Sequence, residues 1–209
     1  MRTVNDNDLI EISRIHLVAF PESALTKLGA EAVRRYYHWQ LHGPHDCYAI
    51  ADFDSERMLG FCFAGVFRGA LGGFLRKNKK FLFWRVLMHP WLLFNEIFRD
   101  RLKTAFRSLR ILPTKKKVKK TSTPSNPVKS FSILSIAVDP AIQAKGVGKA
   151  LMQAAEQEAI RQGYEHMHLT VHPSNTKAVQ FYLRVGWNKN DADPWAGGMY
   201  KILNAGELS

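Results

Sequence analysis

Cysteine is nearly absent from this chain. Its 209 residues include only Cys47 and Cys62. Two thiols build neither a disulfide framework nor a metal-ligand set, and they read as reduced cysteines of a cytoplasmic protein. No apolar run reaches the roughly 18 residues that span a bilayer. The opening Met1-Arg-Thr-Val-Asn-Asp-Asn-Asp8 lacks the apolar stretch and small-residue cleavage site of a secretory signal. Acidic residues are also few, with 18 Asp and Glu against 30 Lys and Arg, a formal net charge of +12. The excess is confined to one stretch: residues 68–129 hold 17 basic and 2 acidic side chains, and the remainder holds 13 and 16. Basicity concentrated in this way marks an insertion rather than a nucleic-acid-binding body, and no recognisable DNA- or RNA-binding module accompanies it. The expectation is one domain over 1–209, with a basic helical insertion and linker at 68–129.

What is present reads as a mixed α/β chain. Asp8 stands as an N-cap before an amphipathic helix carrying Ile12, Ile15 and Ala19, closed by Pro21. A second helix is expected over 29–41. A hairpin follows, with strands at 47–51 and 58–64 about a polar turn at 52–57. The insertion opens on the Gly-rich stretch 67–74 and continues as an apolar-basic helical stretch to Leu112, divided at Pro90. The tract 113–129, with its lysine cluster and three prolines, reads as a linker. Regular patterning then resumes: a strand at 133–138 halted by Asp139-Pro140, and a helix over 148–161 with Leu151, Ala154, Ala155 and Ala159 on one face. Gly163 follows as its C′ glycine. A strand at 166–172, a helix over 176–185 ending at Gly186, and a strand at 198–203 complete the chain. Strand–helix–strand–helix after a hairpin predicts a central mixed sheet flanked by helices.

The chemistry is expected in Gln143-Ala-Lys-Gly-Val-Gly-Lys149, where a strand ends, the chain turns through two glycines and a helix begins. Glycines let several N–H groups converge without Cβ obstruction, and the helix start adds partial positive charge. Both favour a phosphate, the dipole by about 0.3–1 kcal/mol. Lys145 and Lys149 add cations nearby. A Walker loop requires Gly at Gln143 and Ser or Thr at Ala150, and a dinucleotide fingerprint requires Gly at Leu151, so both are excluded.

The motif Gln143-x-x-Gly146-x-Gly148, after a strand ending Ile136-Ala-Val-Asp-Pro140, resembles the acetyl-CoA loop of the GCN5-related N-acetyltransferases (GNAT). Downstream, Val171, Asn175, Ala178, Phe181-Tyr182 and Gly186-Trp187 follow that family's second motif in order and spacing. The resemblance covers 131–187 and implies a GNAT-type sheet with the strand at 136–138 splayed from that at 169–171. It further implies that Ala137 and Val138 hold the pantetheine arm of acetyl-CoA through their backbone. The N–H groups of Gln143, Ala144, Lys145, Gly146, Val147 and Gly148 would take the pyrophosphate, with Asn175 facing the cofactor and no metal involved. It implies attack of a primary amine on the thioester, with Tyr182 as the acid that protonates the departing thiolate.

The base is left open. The strand at 131–138 carries no carboxylate, where many family members place a glutamate, and the candidates are Glu22, His168, His172 or a water relay. The stretch Ala19-Phe-Pro-Glu-Ser-Ala24 with Leu28-Gly29, Tyr36-Tyr37 and the basic insertion resembles members of bacterial surface-glycan pathways, which implies an amino-sugar acceptor. A protein N-terminus or lysine is the alternative, and a non-catalytic acyl-CoA-binding module with a basic interaction arm is another. Large apolar side chains interleaved with cations over 74–120 predict either a packed lid or peripheral contact with the inner, anionic membrane surface.

Overall fold

The structure, a computed structural model, describes residues 1–90, 131–142 and 145–203. It divides into two compact units. The first gathers residues 1–5, 45–67 and 129–209 and contains one seven-stranded sheet. The strands are β1 (Arg2–Thr3), β2 (Asp46–Asp54), β3 (Arg57–Val66), β4 (Phe131–Val138), β5 (His166–Thr170), β6 (Asn188–Lys189) and β7 (Gly198–Ile202). Their order is β1-β2-β3-β4-β5-β7-β6, and among the described residues β4–β5 is the one parallel pair. The second unit, residues 6–44 and 68–128, contributes the helices α1 (Leu9–Ala19), α2 (Ala24–Lys27), α3 (Ala30–His42), α4 (Ala70–Lys77) and α5 (Lys79–Met88). The long helix α6 (Val147–Arg161) and α7 (Thr176–Arg184) return to the first unit.

The predicted mixed α/β architecture is therefore present. In the first unit, α6 turns Leu151, Met152, Ala155 and Ala159 into a core completed by Phe131 and Ile133 of β4, Met167 and Leu169 of β5, and Met199 of β7. Both helices end as glycine-closed Schellman turns. Gly163 (φ 78°) follows α6, with Tyr164 N–H donating to the Ala159 carbonyl, and Gly186 (φ 86°) follows α7, with Trp187 N–H donating to the Tyr182 carbonyl. Glu156 of α6 lies nearly buried and accepts from Lys201 Nζ of β7 at 2.9 Å and from the Trp187 indole at 3.2 Å. Lys201 also donates to the Val185 carbonyl, so one ion pair joins α6 and the end of α7 to β7.

Several local expectations are corrected. Asp8 occupies the N-cap position of α1, but its side chain makes no capping bond, because it ends a 3₁₀ turn and is buried. The Gly-rich start of the insertion is the helix α4. A Cβ at Gly73 would come within 2.4 Å of the Trp39 ring, so the glycine admits an indole whose Nε1 donates to the Ala70 carbonyl. The stretch 74–88 is not one helix: Asn78 ends α4 and starts α5, its Nδ2 donating back to the Phe74 carbonyl. The hairpin turn tightens to Ser55-Glu56. The short strands β1 and β6, two residues each, carry too little pattern to be read in advance. The continuation beyond Pro90 and the tract 113–129 lie outside the described residues.

Burial disfavours the thiolate at both cysteines. Cys47 pairs across the hairpin with Gly65 and Cys62 with Ile50, so they are not opposite one another. Burial raises Cys47 to about 12 and pushes Cys62 further still.

In the second unit, α1 and α3 pack through a buried polar pair: His16 Nδ1 and the Tyr37 hydroxyl stand 2.9 Å apart, with Phe20 edge-on to the imidazole. His16 is 6% exposed, and burial lowers its pKa to about 4. The unfolded chain takes up this proton near pH 6.5 and the folded chain only near 4. His16 therefore stabilises the fold above pH 6.5, and that contribution, about 3 kcal/mol, disappears as pH falls through 4. The stability difference between wild type and His16→Phe should move by about this amount in favour of the variant between pH 7.5 and 4. Urea unfolding at the two pH values measures it, and a pH-independent difference would show that His16 titrates normally.

Candidate active site

The parallel strands β4 and β5 pair only at Phe131↔Met167 and Ser132↔His168. Beyond that rung both continue, β4 along β3 as far as Val138↔Gly60 and β5 along β7 as far as Thr170↔Gly198. The two strands therefore fork, opening toward their C-terminal ends as the sequence resemblance implied. Past the rung, the β5-facing backbone groups of β4 have no ladder partner in β5.

A bulge in β4 shapes the fork. Phe63 pairs with Ser135 and Ala64 with Ile133, which leaves Leu134 as the extra residue. Because side chains alternate, one inserted residue reverses the parity. Phe131 and Ile133 face the α6 core before the bulge, and Ile136 and Val138 face it afterwards. Gly60 lets β3 approach β4 where the fork is widest: a Cβ there would stand 2.7 Å from the Ala137 carbonyl oxygen and 3.2 Å from Val138 Cα. The sequence reading passed over this residue, and its signal was a glycine inside an otherwise apolar strand.

The glycine turn lies at the fork mouth. Gly146 has φ 83° and occupies the N-cap of α6, where it supplies no side chain to cap the first N–H groups. The first turn of α6 carries no acid, and Lys145 and Lys149 are exposed beside it. A Cβ on Gly148 would sit 3.6 Å from both Phe181 and Val138, so the start of α6, the end of β4 and α7 converge here. Gln143 and Ala144 lie outside the described residues.

Asp139 anchors this turn, a role beyond the strand stop read from the sequence. Its buried carboxylate accepts from the Ala141 N–H at 3.0 Å and from Arg57 Nη2 at 3.1 Å, and its own N–H donates to the Leu59 carbonyl. An aspartate before a proline is a weak signal for such a hub, since the partner Arg57 is 82 residues away.

Tyr182 is on the buried face of α7, packed between Phe181 and Trp187. Burial, and after it the proximity of Cys62, pushes the phenol well above its ordinary value. It is thus held protonated throughout the working pH range. Asn175 begins α7 and is exposed, and its Oδ1 accepts from the Ala178 N–H at 3.2 Å, so its side chain caps the helix.

The three candidate bases are separately placed. His168 occupies the last rung before the fork opens, with His166 on the face of β5 opposite Met167 and Leu169. Desolvation lowers His168 below the usual imidazole value. His172 stands in the turn before α7, its Nδ1 accepting from the Ser174 N–H at 3.3 Å. Glu22, in the second unit, pairs with Lys27 at 3.2 Å.

Residues 105–187 match the acetyltransferase (GNAT) family. A mycothiol acetyltransferase of Jonesia denitrificans is 36% identical over 59 residues, 28% of this chain and 19% of that protein, so the chain spans about a fifth of the curated relative it matches. Among solved structures, a ribosomal-protein-alanine N-acetyltransferase from Brucella melitensis has 13% identity and a TM-score of 0.55, covering 97% of this chain and 98% of its own. AAC(6')-Iy, in complex with the bisubstrate analogue CoA-S-monomethyl-acetylneamine, has 12% identity and a TM-score of 0.55, covering 91% of each chain. Identities this low speak to the fold alone. Residues 105–187 thus carry the match to the GNAT family, and the fold around them is that of solved N-acetyltransferases.

Proposed function

We propose that this chain is an acetyl-CoA-dependent N-acetyltransferase that moves the acetyl group to a primary amine by direct attack. The fork between β4 and β5 carries the reading, because it frees backbone hydrogen-bonding groups beside an opening whose mouth holds a glycine-capped helix start. The β5-facing backbone of Ala137 and Val138 takes the pantetheine arm. The turn from Gln143 through Gly148 takes the pyrophosphate, with Lys145 and Lys149 adding charge and Asn175 at the neighbouring helix start. The amine nitrogen bonds to the thioester carbon, the carbon–sulfur bond breaks, and the Tyr182 hydroxyl protonates the sulfur. The proton shed by the amine leaves through water or the His168 imidazole and returns to the tyrosinate.

An amino-sugar acceptor is the reading preferred for the substrate. The AAC(6')-Iy complex is named for the bisubstrate analogue CoA-S-monomethyl-acetylneamine, another solved neighbour is named an aminoglycoside 6'-acetyltransferase, and the Brucella melitensis protein is named for a ribosomal-protein alanine. A protein amine is thus the rival. Release of CoA measured across amino sugars, peptide N-termini and lysine peptides separates the two, and no release with any amine would favour a non-catalytic acyl-CoA-binding module. Tyr182→Phe should lower turnover by roughly 10²-fold while leaving acetyl-CoA affinity unchanged. Unaltered turnover from pH 6 to 9 would make Tyr182 a packing residue. Gly146→Val should weaken acetyl-CoA binding in a calorimetric titration, since a β-branched residue cannot hold φ 83° without strain.

The basic insertion is read as a surface for anionic membrane. No helix among the described residues is long and apolar enough to cross a membrane. Helix α5 is apolar on two sides. Phe81, Leu82 and Val86 pack against Leu28 and Ala32, and Arg85 donates to the Leu28 carbonyl. On the other side Phe83, Trp84, Leu87 and Met88 are 65%, 61%, 54% and 66% exposed, beside Lys79 and Lys80. An aromatic-aliphatic face framed by cations suits the headgroup boundary. The protein should co-sediment with phosphatidylglycerol vesicles at low salt and be released as salt rises, and Trp84→Ser with Leu87→Ser should abolish binding. Equal partitioning onto neutral vesicles, or none onto anionic ones, would leave α5 as part of a packed lid.

A further inference from the structure

Two imidazoles and a carboxylate meet on the surface of the second unit. His38 and His42 lie one turn apart near the C-terminal end of α3, on the same helix face, as the i, i+4 spacing requires. Their rings are 4.6 Å apart. Asp6, which opens the 3₁₀ turn leading into α1, brings its Oδ1 to 2.8 Å from His42 Nε2. One ligand atom from each of the three lies within 4.8 Å of the others, and all three side chains are exposed.

We propose that Asp6, His38 and His42 form a binding site for a divalent transition metal of the zinc type, which clamps the entry of α1 to the end of α3. Two imidazole nitrogens and one carboxylate oxygen are a borderline donor set that suits zinc and disfavours magnesium and calcium, whose preferred ligands are all oxygen. Zinc–ligand bonds of about 2.0–2.2 Å place tetrahedral donors roughly 3.3 Å apart. Torsional shifts of about 1 Å in exposed side chains reach that arrangement from the present one, leaving the fourth position to water. An ion pair alone accounts for His42 and Asp6 but not for His38, whose ring stands 4.6 Å from that of His42 and offers a ligand atom within 4.8 Å of the same carboxylate.

The placement gives the metal a mechanical consequence. Asp6 is the first residue of the second unit and Pro44 the last of its first stretch, so a metal held by Asp6, His38 and His42 ties together the ends of the segment that forms α1, α2 and α3. Binding to the folded state alone raises stability in proportion to the logarithm of metal concentration over its dissociation constant.

The test uses the full chain, stripped with chelator and titrated with ZnCl₂ in a calorimeter. One zinc per chain is expected, with a rise in thermal midpoint that chelator reverses. His38→Ala and Asp6→Asn should each weaken binding at least tenfold, and His38→Ala with His42→Ala should remove it, along with the thermal shift. All three positions are exposed, so circular dichroism of the variants should match wild type. Substitution of Co²⁺ should give the visible absorption of a four- or five-coordinate site, absent from the double variant. Mg²⁺ at a hundredfold excess should not compete. No zinc uptake, or uptake unchanged in the double variant, overturns the assignment. Release of CoA from acetyl-CoA stays a separate measurement, so the outcomes for this site and for the fork are read independently.

Discussion

A strand can leave its neighbour only if its remaining hydrogen bonds hold it in place, and this condition governs the first unit. β4 parts from β5 after two rungs, so its far half depends on β3, and β5 depends on β7. Backbone groups turned toward the gap must find water or a ligand, because an unsatisfied buried amide or carbonyl is strongly unfavourable. The opening is therefore a place where polar backbone and apolar wall coexist. Gly60 draws β3 against Ala137, and the Leu134 bulge turns Ile136 and Val138 toward the α6 core. Asp139 ties the turn after β4 back to Arg57 and Leu59. The Glu156–Lys201 pair does the same for α6, α7 and β7 on the other side of the gap.

Electrostatics at the fork mouth follow from what is missing as much as from what is present. The first turn of α6 contains no acid, so the partial charge of its free N–H groups is not offset, and two lysines reinforce it. Inside, desolvation holds Tyr182 in its neutral form, in which it has a proton to give. The same desolvation raises the Cys62 thiol beside it, which disfavours its thiolate.

The second unit is organised on different terms. A buried His16–Tyr37 pair replaces part of the apolar contact between α1 and α3, and burial keeps the imidazole neutral. Arg35 lies over the Phe81 ring and Arg85 donates to the Leu28 carbonyl, so two cations bind α5 to α2 and α3. The remaining apolar face of α5 is exposed.

What the sequence determined by itself was local in origin. The 3.6-residue periodicity of α6, the glycines that close α6 and α7 at positive φ, the alternation of the hairpin and the glycine spacing before α6 each depend on residues within a turn or two. They were legible for that reason, and so was the second motif around Tyr182. Tertiary structure decided whatever depended on distant partners. No pattern within 131–138 reveals that Leu134 is a bulge, because the inserted residue exists only relative to β3. Gly73 and Gly60 are required by Trp39 and by Ala137, residues 34 and 77 positions away. Asn78 breaks a stretch whose composition favours a continuous helix, since its side chain binds the preceding turn. Asp6 and the two histidines of α3 meet only because α1 packs along α3. Propensity and periodicity are properties of a segment, whereas close approach, register and convergence of side chains belong to the folded chain.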